Sequence, residues 1–151
     1  MGLKTLNPGD VQFLVVHCSA TQAKADIGVR EITQMHRERG FLTIGYHFVI
    51  RRDGKMENGR DITEVGAHET RVNAKSIGIC MVGGLDKNLK PQDNFTDDQY
   101  AALHGLLKDL LKVYPRAEVL GHRDIPGVKK DCPCFDVKPW WSRVCDQPVA
   151  F

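Results

Sequence analysis

The chain has 151 residues, 42% of them hydrophobic and 26% charged, with 21 basic against 19 acidic side chains and a formal net charge of +2. That composition suits one soluble domain with a sizeable core, and so mild a charge gives no ground for attraction to nucleic acid or to a membrane surface. No stretch approaches the roughly eighteen consecutive apolar residues of a transmembrane helix, and Met1 to Asp10, with one lysine and a Pro8-Gly9 turn signal, does not read as a secretory signal.

Residues 1–10 are expected as an N-terminal arm and 11–151 as a single catalytic domain. The apolar run Val11 to Val16 predicts a buried central strand that ends at His17. Val29, Ile32, Met35 and His36 recur at helical spacing, so Val29 to Arg39 predicts an amphipathic helix stopped at Gly40. Gly45 to Arg51 has strand composition, and the Asp53-Gly54 turn predicts a hairpin into Lys55 to Asn58. Side chains alternate along a strand, which sends Tyr46 and His47 to opposite faces. A second buried strand follows at Ser76 to Val82, closed by Gly83-Gly84.

The clearest helix starts at Thr96, where Thr96-Asp97-Asp98-Gln99 has capping-box form and Phe95 can staple onto Tyr100. Leucines then repeat at three and four up to Tyr114, and Pro115 closes the element. Glu118 to Leu120 predicts a strand that delivers His122, and Val137 to Val144 a short terminal helix carrying Trp140 and Trp141. The expected fold class is therefore α/β, a single domain whose central mixed sheet is flanked by helices, with the long helix across one face and the site in a groove at one edge.

Five cysteines, an odd number without a signal sequence, favour reduced thiols, metal ligands or core residues over a disulfide framework. Two segments stand out. Gly121-His122-Arg123-Asp124 is followed closely by Lys130-Asp131-Cys132-Pro133-Cys134, and His17-Cys18 closes the first strand. Nitrogen and thiolate donors from separate segments, with a fourth position left for water, are what a catalytic zinc site needs, and no pair has zinc-finger spacing. A zinc hydrolase follows as the expectation, with one of Cys132 and Cys134 as the sulfur donor.

Taken together, Val16-His17-Cys18-Ser19-Ala20-Thr21, Gly45-Tyr46-His47-Phe48, Ser76-Ile77-Gly78-Ile79-Cys80, Gly121-His122-Arg123-Asp124 and Lys130-Asp131-Cys132-Pro133 resemble the zinc-dependent N-acetylmuramoyl-L-alanine amidases of type 2. That family includes phage endolysins and the peptidoglycan recognition proteins. The resemblance implies one Zn2+ held by His17, His122 and Cys132, with Tyr46 and Lys130 catalytic. Cys134 stands where a small non-coordinating residue is commoner in the family, and Cys132 is favoured because Lys130 then keeps its two-residue offset. His47 and His68 are weaker candidates for substrate binding, His68 from a V-G-x-H segment that the resemblance places along the groove.

The implied reaction is cleavage of the amide between N-acetylmuramic acid and L-alanine in murein, causing host lysis. A lysine ammonium suits the oxyanion of a tetrahedral intermediate, while Tyr46 can hold water or move a proton. The implied setting is the host cytoplasm, with release to the wall by a holin or at lysis, and the implied state a monomer. The alternative is a protein of the same fold that binds peptidoglycan without cleaving it or regulates a phage RNA polymerase.

Overall fold

The computed structural model describes residues 3–149, so the outermost two residues at each end of the expected arm and domain lie outside it. A five-stranded sheet has the order β4-β3-β5-β1-β7, built from β1 (Phe13–Cys18), β3 (Phe48–Ile50), β4 (Met56–Asn58), β5 (Ser76–Met81) and β7 (Glu118–Gly121). Only β4 is antiparallel, paired to β3 across the Asp53-Gly54 hairpin, so the sheet is mixed as expected. Two short strands, β2 (Thr21–Gln22) and β6 (Gly84–Leu85), form a separate parallel pair.

The alternation of β1 and β5 divides the molecule. Leu14, Val16 and Cys18 of β1, with Ile77, Ile79 and Met81 of β5, enter the main core. Against them lie α2 (Asp97–Val113) through Leu103, Leu107 and Leu110, and α3 (Val137–Val144) through Val137 and Trp140. Leu103 and Leu107 are fully buried, and burial of each contributes about 1.5–3 kcal/mol. The other face of β5 carries only Ser76, Gly78 and Cys80. Beside it packs α1 (Val29–Glu38), whose Ile32 meets Ile44, Val49, Cys80 and Val82.

The long helix is capped as its sequence predicts. Thr96 Oγ1 accepts from the Gln99 N–H at 3.1 Å, Gln99 Oε1 accepts from the Thr96 N–H at 3.0 Å, and the rings of Phe95 and Tyr100 lie 6.2 Å apart. Other boundaries differ from the expectation. β1 extends through Cys18, because His17 and Cys18 still pair with Cys80 and Met81, so His17 sits inside the strand. Residues 45–47 precede the regular strand, which begins at Phe48, and are tied to the sheet by His47 N–H to Gly78 O at 2.9 Å.

The arm is folded onto the body. Leu6 is buried, its N–H donating to Thr63 O, while Val65 N–H donates to Lys4 O. Among the described residues no helix is long and apolar enough to cross a membrane.

Candidate metal centre

His17 projects from the face of β1 opposite the main core. The turn after β7 (His122–Asp124) supplies His122, and the loop before α3 supplies Cys132. The donor atoms of these three residues lie within 4.8 Å of one another, and no other His, Cys, Asp or Glu cluster among the described residues meets that condition. The centre lies on the β7 side of the sheet, where His17 is the penultimate residue of β1 and His122 directly follows the edge strand β7. β1 is flanked by β5 and β7, and the small residues of β5 make room for the His68 ring, which a Cβ at Gly78 would meet at 2.6 Å.

The hydrogen bonds fix which ring nitrogen each histidine presents. His122 Nε2–H donates to Glu69 Oε1 at 3.0 Å, and its Nδ1 is buried with no partner. Ser76 Oγ–H donates to Val72 O at 2.7 Å, so Ser76 Oγ accepts from His68 Nε2–H at 3.1 Å. That leaves His68 Nδ1 to accept from His17 Nε2–H at 2.8 Å, and the His17 Nδ1 lone pair remains available. The Cys132 sulfur accepts the Cys18 backbone N–H at 3.1 Å. A buried, unpartnered imidazole nitrogen is costly unless something occupies it. Two imidazole lone pairs and a sulfur converging there have the donor chemistry of a three-ligand metal site.

Burial, then the charges of His68, His122 and Lys130, holds the His17 imidazole well below its ordinary range and hence neutral. Burial likewise pushes the Tyr46 phenol up, with Cys80, Cys132 and Cys18 adding to it and Arg39 opposing, so the hydroxyl keeps its proton. The Tyr46 and His17 ring centres are 5.1 Å apart. Burial works against ionisation of Glu69, but hydrogen bonds from His122 and Arg71 prevail and draw its carboxyl down to about 2.

Tyr46, Arg39, Asn73 and Lys130 join the three donors in lining a groove of about 470 Å³. Lys130 is exposed and forms no ion pair among the described residues. A larger groove, about 860 Å³, lies between α2 and the end of α3 near Leu106 and Trp141, away from these donors.

His47 departs from its expected place. It is fully buried and does not line the groove, because its Nδ1 accepts from Gly78 N–H at 3.0 Å and its Nε2–H donates to Glu64 O at 2.8 Å. The alternation that turns Tyr46 toward the groove turns His47 into the sheet. His68 does border the groove, but both ring nitrogens are engaged. The Cys134 sulfur lies 3.9 Å from that of Cys18, apart from the donor cluster, and its thiol is pushed up to about 12 by burial and by Cys18. Sequence reasoning missed Glu69 and Ser76, a loop carboxylate and a strand serine with no motif of their own.

Residues 7–135 match the N-acetylmuramoyl-L-alanine amidase family. The chain belongs to this family. The amidase is 50% identical over 129 residues to an endolysin of Enterobacteria phage K11, covering 85% of this chain and 83% of that one. It is 49% identical over 130 residues to an endolysin of Klebsiella phage KP32, covering 86% and 85%. Among solved structures, the N-acetylmuramoyl-L-alanine amidase LysC from Clostridium intestinale URNW superposes with a TM-score of 0.77 at 26% identity, covering 95% of this chain and 92% of that one. The expected fold, family and peptidoglycan-hydrolysing activity of endolysin type are thereby borne out.

Proposed function

We propose that this amidase cleaves murein between the lactyl group of N-acetylmuramic acid and L-alanine, using one zinc ion held by His17, His122 and Cys132. The observation that carries the reading is the buried, unpartnered Nδ1 of His122, facing a second imidazole lone pair and a sulfur in a groove beside Tyr46. The chemistry such an ion supplies when bound is Lewis acidity, which polarises an amide carbonyl and activates water at neutral pH.

The chain's own groups divide the remaining work. Tyr46 enters with its Oη protonated and so acts as a donor, passing a proton to the departing amine nitrogen. The Lys130 ammonium, unpaired on the groove wall, stabilises the oxyanion as the carbonyl carbon becomes tetrahedral. An open groove with polar walls accommodates a glycan-peptide junction better than a closed apolar pocket does. The enzyme works as a monomer, held in the cytoplasm of the producing cell until a holin or lysis admits it to the wall.

Digestion of purified Gram-negative murein, with and without chelator, tests this when the products are read by mass spectrometry. Free stem peptides beginning with L-alanine, lost on chelation and regained with zinc, are expected. Binding without cleavage would move the chain to the recognition class, and capture of the cognate phage RNA polymerase in a pull-down would add the regulatory role.

A further inference from the structure

We propose that the adjacent residues His68 and Glu69 form one positioning element that sets both imidazole donors of the metal centre. The inference rests on the reading that His17, His122 and Cys132 hold zinc. His68 Nδ1 accepts from His17 Nε2–H at 2.8 Å, and Glu69 Oε1 accepts from His122 Nε2–H at 3.0 Å. Each contact fixes the same tautomer, with Nδ1 bare, and points the ring toward the shared centre. Ligating histidines generally hand their other N–H to a carboxylate or carbonyl, which sets ring orientation and basicity. Here a neighbouring pair in one loop serves both rings, and one acceptor is itself an imidazole.

The loop is held as though for that purpose. Asn73 Oδ1 accepts the backbone N–H groups of both His68, at 2.9 Å, and Glu69, at 2.8 Å. Glu69 Oε2 accepts from Arg71, through its backbone N–H at 2.9 Å and its guanidinium at 2.8 Å, leaving Oε1 for His122. Ser76 Oγ accepts the single ring N–H of His68, at Nε2, so the imidazole cannot turn its donor toward His17. The His68 ring lies between two glycines. A Cβ at Gly66 would stand 2.8 Å from His68 Cδ2, and one at Gly78 would stand 2.6 Å from it. Both ring nitrogens of His68 are committed, so the residue orients a ligand and does not read substrate.

The test is zinc affinity, measured by competition with a chromophoric chelator for wild type, His68→Ala, His68→Asn, Glu69→Ala and Glu69→Gln. The alanine variants are expected to hold zinc about 10- to 100-fold more weakly. Asn and Gln each return an acceptor oxygen near the lost position, so both are expected to recover much of that loss. Cobalt substituted for zinc should give an altered d–d spectrum in the alanine variants and a near-native one in the conservative variants, a difference that loose packing alone would not produce. Wild-type zinc affinity in both alanine variants, with KM raised, would overturn the inference and make the pair part of the substrate groove. Failure of the wild type itself to bind zinc would instead remove the metal reading on which the inference stands.

Discussion

Gly78→Ala should damage fold and metal centre together, because its effect runs through a single ring. Gly78 lies within β5 without a positive φ, a conformation alanine adopts freely, so the cost is steric. The new methyl would stand 2.6 Å from His68 Cδ2 and Cγ, whereas ordinary contact begins at 3.4 Å. The ring must therefore retreat by about 0.8 Å, a displacement that lengthens the 2.8 Å contact with His17 to as much as about 3.6 Å, beyond hydrogen-bond length. Overpacking of this kind costs about 1–3 kcal/mol. At about 2–4 °C per kcal/mol for a chain of this size, calorimetry of the metal-free protein should record a melting point lower by roughly 2–12 °C. Chelator competition should show zinc held about 10-fold more weakly or worse. A variant that melts with the wild type and binds zinc equally well would refute the steric argument and the hydrogen-bond argument at once.

Three other outcomes are expected. Tyr46→Phe and Lys130→Ala should each retain zinc while turnover on murein falls by about 10²-fold or more, and His17→Ala should lose the metal as well; full activity in either of the first two removes its assigned role. Cys134→Ser should leave zinc stoichiometry at the wild-type value while Cys132→Ser abolishes it, and the reverse result in metal analysis would exchange the two sulfurs. His47 is held below its ordinary value of 6.5, first by burial, and accepts the Gly78 N–H only when neutral. Its depressed folded pKa means that the unfolded chain takes up the proton first, so its contribution is complete above pH 6.5 and declines as pH falls toward the folded value. Denaturation across pH 7 to 5 should show His47→Asn reducing the acid-side slope by up to about 1.4 kcal/mol per pH unit, and an unchanged slope would count against the assignment.

The elements that declared themselves in the sequence were those whose determinants are local. The capping box at Thr96, the leucine periodicity after it and the Asp53-Gly54 turn each act over a few residues, and each element formed where expected. The three donors were legible because soft and imidazole ligands are scarce enough to stand out near strand ends. The room taken by the His68 ring was written in Ser76-Ile77-Gly78-Ile79-Cys80-Met81, where small and large side chains alternate. That alternation is easily passed over as one apolar run, since a six-residue β5 with every position buried lacks the polar half of the usual pattern. His68 was singled out only for substrate binding and Glu69 not at all, for a different reason: their partners, His17 and His122, lie 51 and 53 residues away in the chain. No periodicity reports a contact made by a loop across the sheet.

The order of the strands also bears on when the enzyme can exist during its own synthesis. β1 is translated first among the sheet strands, yet it lies between β5 and β7, pairing Phe13 with Ser76 on one side and with Glu118 on the other. Its second flank has no neighbour until most of the polypeptide has left the ribosome, and such distant pairings form slowly. A nascent chain therefore carries His17 from the beginning and acquires His122 and Cys132 only near the end, so the three donors cannot come together in any product cut short before Cys132.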